Sequence, residues 1–192
     1  MPVVLASKSP ERRRLLSRIV RRFDVVEPQV DEGGACCCAD AESVAGRLAE
    51  AKAQDAARRR PDALIIAADT VVECQGEIIG KPADRDDAVR ILSKLTSHPH
   101  RVVTGLCVMA PDGRRRAAVS VARIRMRKFT QQEIERYVDR EDALNRAGAY
   151  ALKEFDPNVL SLDGSRTAVM GLPVEMLGDI IESLYPSLGR QA

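Results

Sequence analysis

Aromatic residues are scarce in this 192-residue chain, with three Tyr, three Phe and no Trp. Its core must therefore be built from Val, Ile, Leu and Ala, and aromatic platforms that stack single-stranded nucleic acid are not expected. Excess charge of one sign is lacking too, since 30 basic side chains face 28 acidic ones for a net +2. That balance argues against a broad non-specific DNA-binding face. No apolar run approaches the roughly 20 residues that cross a bilayer, and the opening Met1–Ala6 run is too short for a signal peptide. Five cysteines are present, but Cys36, Cys37 and Cys38 are adjacent. They make a poor disulfide framework, and no His lies nearby to complete a zinc set. A reducing cytoplasm is the simpler expectation.

What is present suits one domain over residues 1–192, in two small lobes around a cleft, with an ordinary 45% hydrophobic content. Val3–Ala6 has the pattern of a short buried strand. Ser9 then looks like an N-cap, Pro10 a first helical residue, and Leu15, Leu16, Ile19 and Val20 a helical stripe. Phe23–Val26 predicts a strand, residues 33–40 a loop and Ala41–Arg60 a helix. Ala63–Ala68 is a continuous apolar run, predicted as a strand covered on both faces that delivers Asp69 and Thr70 at its end. Val71-Val72 and Ile78-Ile79 flank a Gln75-Gly76 turn, and Asp84–Thr96 is an amphipathic helix. Two long strands, Val102–Met109 and Ala117–Met126, are joined through Pro111-Asp112-Gly113. Thr130–Asp139 carries capping-box spacing, Val159–Leu162 is a strand and Pro173–Leu184 a closing helix. Strands and helices in this order predict an α/β fold, a mixed twisted sheet with flanking helices.

Four segments carry candidate chemistry. Ser7-Lys8-Ser9-Pro10-Glu11-Arg12-Arg13 puts two hydroxyls, cations and a helix start together, a combination that holds phosphate; the alternative is an ordinary capped helix with solvated arginines. Asp69 can deprotonate water or hold a divalent metal, and Lys81 sits between Gly80 and Pro82 on a stiff loop; each alone is equally a turn. Asp31-Glu32 offers metal-holding acids and Lys52 lies on an Ala-lined helix, against a loop acid and a solvated lysine. Ala147–Lys153 and Val169–Pro173 read, without context, as packing signals.

Taken jointly and in order, LASKSPERR, the Asp31-Glu32 loop with LAEAKA, AADTVV, GKPAD, HRVVTG, AGAYAL and DGSRTAVMGLPVEML resemble the Maf family of nucleotide pyrophosphatases over nearly the whole chain. The resemblance implies a mixed-sheet α/β fold like that of the inosine triphosphate pyrophosphatases, a deep cleft between two lobes, and often a homodimer. It implies cleavage of nucleoside triphosphates to monophosphate and pyrophosphate, with Mg²⁺ or Mn²⁺ as cofactor. By that match Ser7, Ser9 and Arg12 bind the triphosphate, Lys52 and Lys81 are cleft lysines, and Asp69 is the proton acceptor. Glu32 matches a functional acid, placed here with Asp69 as a metal ligand. Thr70 matches the branch preferring thymidine and uridine triphosphates; the branch acting on methylated guanosine triphosphate has Gln there.

Two positions depart from that pattern. The thymidine/uridine branch has Arg where this chain has Glu11, and the family commonly has Gln where this chain has Lys153. Both positions are tied to substrate choice, so the resemblance implies the reaction and leaves the nucleobase open, including a preference altered from dTTP and UTP. Glu11 either complements the helix dipole, pairs with Lys153 across the cleft, or faces the base, where it would accept from an amino or imino group such as that of cytosine or guanine. Two other classes stand beside the enzyme. One is a cell-division regulator that binds nucleotide without hydrolysis. The other is a nucleic-acid module using the Arg12–Arg14, Arg58–Arg60 and Arg114–Arg116 runs, which equally form solvated faces.

Overall fold

A computed structural model describes residues 1–30, 40–140, 142–153 and 156–185. The chain runs β1 (Val3–Ala6), α1 (Pro10–Leu16), β2 (Asp24–Val26), α2 (Ala41–Arg59), β3 (Leu64–Cys74), β4 (Glu77–Ile79) and α3 (Arg85–Ser97). It continues through β5 (His100–Met109), β6 (Arg115–Met126), α4 (Gln131–Arg140), β7 (Val159–Asp163), α5 (Arg166–Val169) and α6 (Val174–Leu184). Two single 3₁₀ turns, Ala143–Asn145 and Ala147–Ala149, lie between α4 and β7.

The strands form one mixed sheet ordered β2-β1-β3-β5-β6-β7, with β4 added to β3. β1 is parallel to β2 and β3, and the remaining pairings are antiparallel. β3 is the axis of the molecule because its residues alternate between two covered faces. Ala63, Ile65 and Ala67 pack against Ala49, Ala53 and Ala56 of α2, whose small side chains let the helix lie close to the sheet. Val71 continues this face against Ala41, Val44 and Ala45.

The opposite face is divided. Leu64, Ile66 and Ala68 join a cluster with Leu15 and Leu16 of α1 and Leu177 of α6, while Val72 and Cys74 join another with Ile91, Leu92 and Leu95 of α3. Thr70 falls between the two clusters, so the two lobes expected from the sequence meet over the middle of β3.

Local rules account for most element boundaries. Ser9 caps α1 by accepting from Arg12 N, with Pro10 in the first turn. Asp40 and Asp84 cap α2 and α3 in the same way. At α4, Thr130 and Glu133 exchange bonds, Glu133 N–H to Thr130 Oγ1 at 3.3 Å and Thr130 N–H to Glu133 Oε2 at 2.8 Å. The β5–β6 hairpin closes with Gly113 at φ +86° donating to Ala110 O at 3.1 Å.

Two expectations are corrected. The helical stripe does not extend α1 to Ile19 and Val20, because the chain turns after Leu16 with Ser17 as C-cap. Asp69 is not at a strand end either. β3 runs on to Cys74 because β5 pairs with it without a break from Ile65 to Glu73.

Candidate functional site

The two edges of β3 are bordered differently. On one edge β5 covers it; on the other, β1 pairs with Leu64–Ala67 and β4 with Val72–Cys74. Residues 68–71 thus have no strand neighbour on that edge among the described residues. β1 ends facing Ala67 and leads into Ser7–Ser9, and β4 ends facing Val72 and leads into Gly80-Lys81. Two loops with hydroxyls and cations are therefore directed at one gap from opposite ends.

Asp69 points to the α2 side of the sheet. Its Oδ1 lies 2.5 Å from Lys52 Nζ, and both residues are buried, 6% and 5% exposed. Two charges survive such burial only as a pair. Helix α2 reaches this depth because Gly105, the β5 partner of Asp69, lacks a side chain. A Cβ there would lie 2.2 Å from the carbonyl oxygen of Ala45.

Thr70 points to the other side. Arg12 donates through Nη2 to Thr70 Oγ1 at 3.2 Å and through Nε to Gly171 O at 2.8 Å. Thr70 and Thr104 hydroxyls are 2.9 Å apart, and Thr104 donates to Ala168 O at 2.8 Å. A carbonyl can only accept, so the single proton of Thr104 is committed to Ala168. Thr70 must then donate to Thr104 and accept from Arg12. The relay fixes the Arg12 guanidinium against α5 and the Gly171 turn, where Gly171 adopts φ +109°.

Ser7 is buried and its Oγ accepts from Ser9 N–H at 3.1 Å; Ser9 Oγ accepts from Arg12 N–H at 3.3 Å. Each hydroxyl spends a lone pair on the turn and keeps its proton to give to an anion. Pro10 has no N–H and Arg13 N–H bonds Ser9 O, so the donors at this turn are chiefly side chains rather than helix-end amides.

Lys81 is exposed on the loop after β4, whose Gly80 carbonyl accepts from Gly148 N–H at 3.1 Å. The same 147–151 segment is held by Tyr150 Oη, 2.8 Å from His100 Nε2, and by Ala151 N–H to Tyr137 Oη at 3.1 Å. Burial lowers the pKa of His100 and raises that of Tyr150, so the imidazole is neutral and accepts the phenol proton. Apart from Lys153, which the family resemblance ties to substrate choice, sequence reasoning read Ala147–Lys153 as packing and assigned no role to Tyr150, His100 or Thr104. The isolated buried His and the polar Thr within an apolar strand were the available signals.

Glu11 and Lys153 both line a cavity of about 400 Å³. The expected Glu11–Lys153 pairing is replaced by a bond within α1, with Arg14 Nη2 donating to Glu11 Oε1 at 2.6 Å. The i,i+3 spacing puts the guanidinium one helical turn from the carboxylate, so no partner from across the cleft is required. Glu32 lies outside the described residues, as do Asp31 and Cys36–Cys38.

For a divalent metal, Asp69 is the described carboxylate at the gap, and no group of three His, Cys, Asp or Glu side chains gathers among the described residues. That set fits Mg²⁺ or Mn²⁺ held by one or two carboxylates and by substrate phosphates, and does not fit a cage made by protein alone. Several arginines of the three runs are held by carboxylates: Arg14 by Glu11, Arg59 by Asp55, Arg60 by Asp24, Arg114 by Asp112, and Arg115 by Glu50. Among the described residues no helix is long and apolar enough to cross a membrane.

The dTTP/UTP pyrophosphatase of Aquifex aeolicus (strain VF5) is 37% identical over 185 residues, 96% of each chain. That of Geotalea uraniireducens (strain Rf4) is 39% identical over 186 residues, 95% of this chain and 93% of the other. A solved nucleoside-triphosphatase / dITP/XTP pyrophosphatase from Mycobacterium abscessus ATCC 19977 / DSM 44196 aligns over 97% of this chain and 100% of its own, at 16% identity and TM-score 0.48, too distant to carry an argument. The family model described as Maf-like protein matches residues 2–184, and the chain belongs to that family.

Proposed function

We propose that this protein hydrolyses nucleoside triphosphates to the nucleoside monophosphate and pyrophosphate, a reading supported by relatives named dTTP/UTP pyrophosphatase. The observation that carries the reading is the buried Lys52–Asp69 pair at the uncovered stretch of β3, one residue from the Arg12–Thr70 contact. A general base must be held still within reach of its water. Lys52 does this by taking Oδ1, which leaves Oδ2 of Asp69 to accept the proton.

In the reaction, the water oxygen bonds to the α-phosphorus, its proton passes to Asp69, and the α–β anhydride bond breaks to release pyrophosphate. Negative charge builds on the phosphate oxygens, and fixed cations and donors aimed there lower the barrier most. Arg12, held by Gly171 and Thr70, and Lys81 on the β4 exit loop supply charge; Ser7 and Ser9 supply hydroxyl protons. A divalent metal held by Asp69, with Glu32 as its further expected ligand, would neutralise phosphate charge when bound. Thr70 donates to Thr104 and so offers a substrate only a lone pair.

The experiment is product analysis with dTTP and UTP in Mg²⁺ or Mn²⁺. Equimolar monophosphate and pyrophosphate, abolished by chelation, are expected. Orthophosphate with a nucleoside diphosphate, or binding without turnover, would overturn the reading.

A further inference from the structure

Two consecutive residues between α4 and β7 have left-handed backbone, Gly148 at φ +73° and Ala149 at φ +59°. Glycine adopts that region freely, but alanine does so at a cost and holds it only where its surroundings over-determine it. Here the surroundings are two phenols. Tyr150 Oη lies 2.8 Å from Nε2 of His100, the first residue of β5, with the rings edge to face at 5.6 Å. Tyr137 of α4 accepts from Ala151 N–H at 3.1 Å. The strained turn is thus anchored to β5 and to α4 at once.

The turn in turn holds the loop that carries Lys81. Gly148 N–H donates to Gly80 O at 3.1 Å, one residue before the lysine. The fit around Gly148 is close. A Cβ there would lie 3.0 Å from Val72 Cγ2, 3.1 Å from Leu95 Cδ1 and 3.3 Å from the Tyr150 ring. Val72 is the β3 partner of Ile79, the last residue of β4, so the turn is wedged against the root of the β4 exit loop. Lys81 precedes Pro82, which restricts its backbone. Where the Gly80 carbonyl is held therefore decides where Lys81 leaves the sheet.

We infer that His100 and Tyr150 are positioning residues for Lys81: their hydrogen bond locks the strained turn against Gly80 and so sets the lysine at the β3 gap. Both side chains are buried, so removing either polar atom leaves the other without its partner and frees the turn to relax. The inference rests on the proposed reaction for the role of Lys81, and on the turn geometry for the coupling.

The test is a double-mutant cycle. Tyr150→Phe keeps the ring and removes only Oη. It is expected to lower kcat/KM for UTP about tenfold, since a 1 Å misplacement can cost up to about 10². In a Lys81→Met background the same change is expected to do almost nothing, because the group it positions is gone. His100→Leu should match Tyr150→Phe, and His100→Gln, whose amide oxygen can stand in for Nε2, should keep most of the activity. Calorimetric binding of UTP without metal runs alongside, with the same pattern expected in Kd. Equal losses from Tyr150→Phe with and without Lys81 would overturn the inference and leave the hydrolase reading standing, since general loosening acts on every background alike. Absence of turnover in the wild type, with Tyr150→Phe weakening UTP binding only when Lys81 is present, would do the reverse. If Tyr150→Phe failed to fold, or Lys81→Met turned over too slowly to measure, His100→Leu and the binding cycle would still decide.

Discussion

Asp69 and Thr70 are consecutive on β3 and face opposite sides of the sheet, Asp69 toward Lys52 and Thr70 toward Arg12. The strand edge beside them has no strand neighbour among the described residues, and the proposed reaction uses that gap to bring the two faces to one substrate. This arrangement makes the chemistry depend on residues that look structural.

Replacing the proposed base while keeping its shape isolates its role. Asp69→Asn should retain nucleotide binding and lose about 10²–10⁴ in turnover, the usual size of a general-base contribution. Steady-state pyrophosphate release checks it; turnover within a few-fold of wild type would remove Asp69 from that role.

The same pair makes a stability prediction. Lys52→Met strands the buried Asp69 carboxylate, and losing one member of a buried pair costs about 3–5 kcal/mol. Lys52→Met with Asp69→Leu removes both charges and should recover most of that loss in denaturant unfolding, although the double variant will be inactive. A double variant no more stable than the single one would show that the pair does not carry its own desolvation.

Gly105→Ala probes the close approach of α2. The added Cβ would meet Ala45 O at 2.2 Å and Gly46 N at 2.8 Å, both backbone atoms that cannot rotate away. Overpacking of this kind costs about 1–3 kcal/mol. Thermal unfolding should show the loss, and turnover should fall with it, because Lys52 rides on the displaced helix.

His100 sets a pH dependence. Burial depresses its pKa below the ordinary value of about 6.5, so the unfolded chain binds the proton more readily than the folded one. Its contribution is fully present above about pH 6.5 and is lost as pH falls toward the folded value. Stability should therefore decline as pH falls below about 6.5, well above the point where Glu133, held near pKa 2 chiefly by Arg127, takes up its proton. His100→Gln should flatten that decline in unfolding curves taken across the window.

Much of this was legible in the sequence for identifiable reasons. The apolar run 63–68, the Ser9-Pro10 cap and the Thr130–Glu133 box are local signals, and the elements they predict are present. The Lys52–Asp69 pair joins residues 17 apart and the Arg12–Gly171 contact residues 159 apart. No local rule reports such meetings. Motif order suggested the partners, whereas Thr104, buried in an apolar strand, became visible only once Ala168 and Thr70 were placed around it. The continuation of β3 past Asp69 was hidden because the apolar run breaks there, while the pairing partner β5 does not.

The central claim is that water attacks the α-phosphorus at the Asp69 crevice. Hydrolysis of UTP in ¹⁸O-labelled water, with products resolved by mass spectrometry, tests it most directly. The account predicts one label in UMP and none in pyrophosphate. Label in pyrophosphate or orthophosphate, with UMP unlabelled, would contradict it.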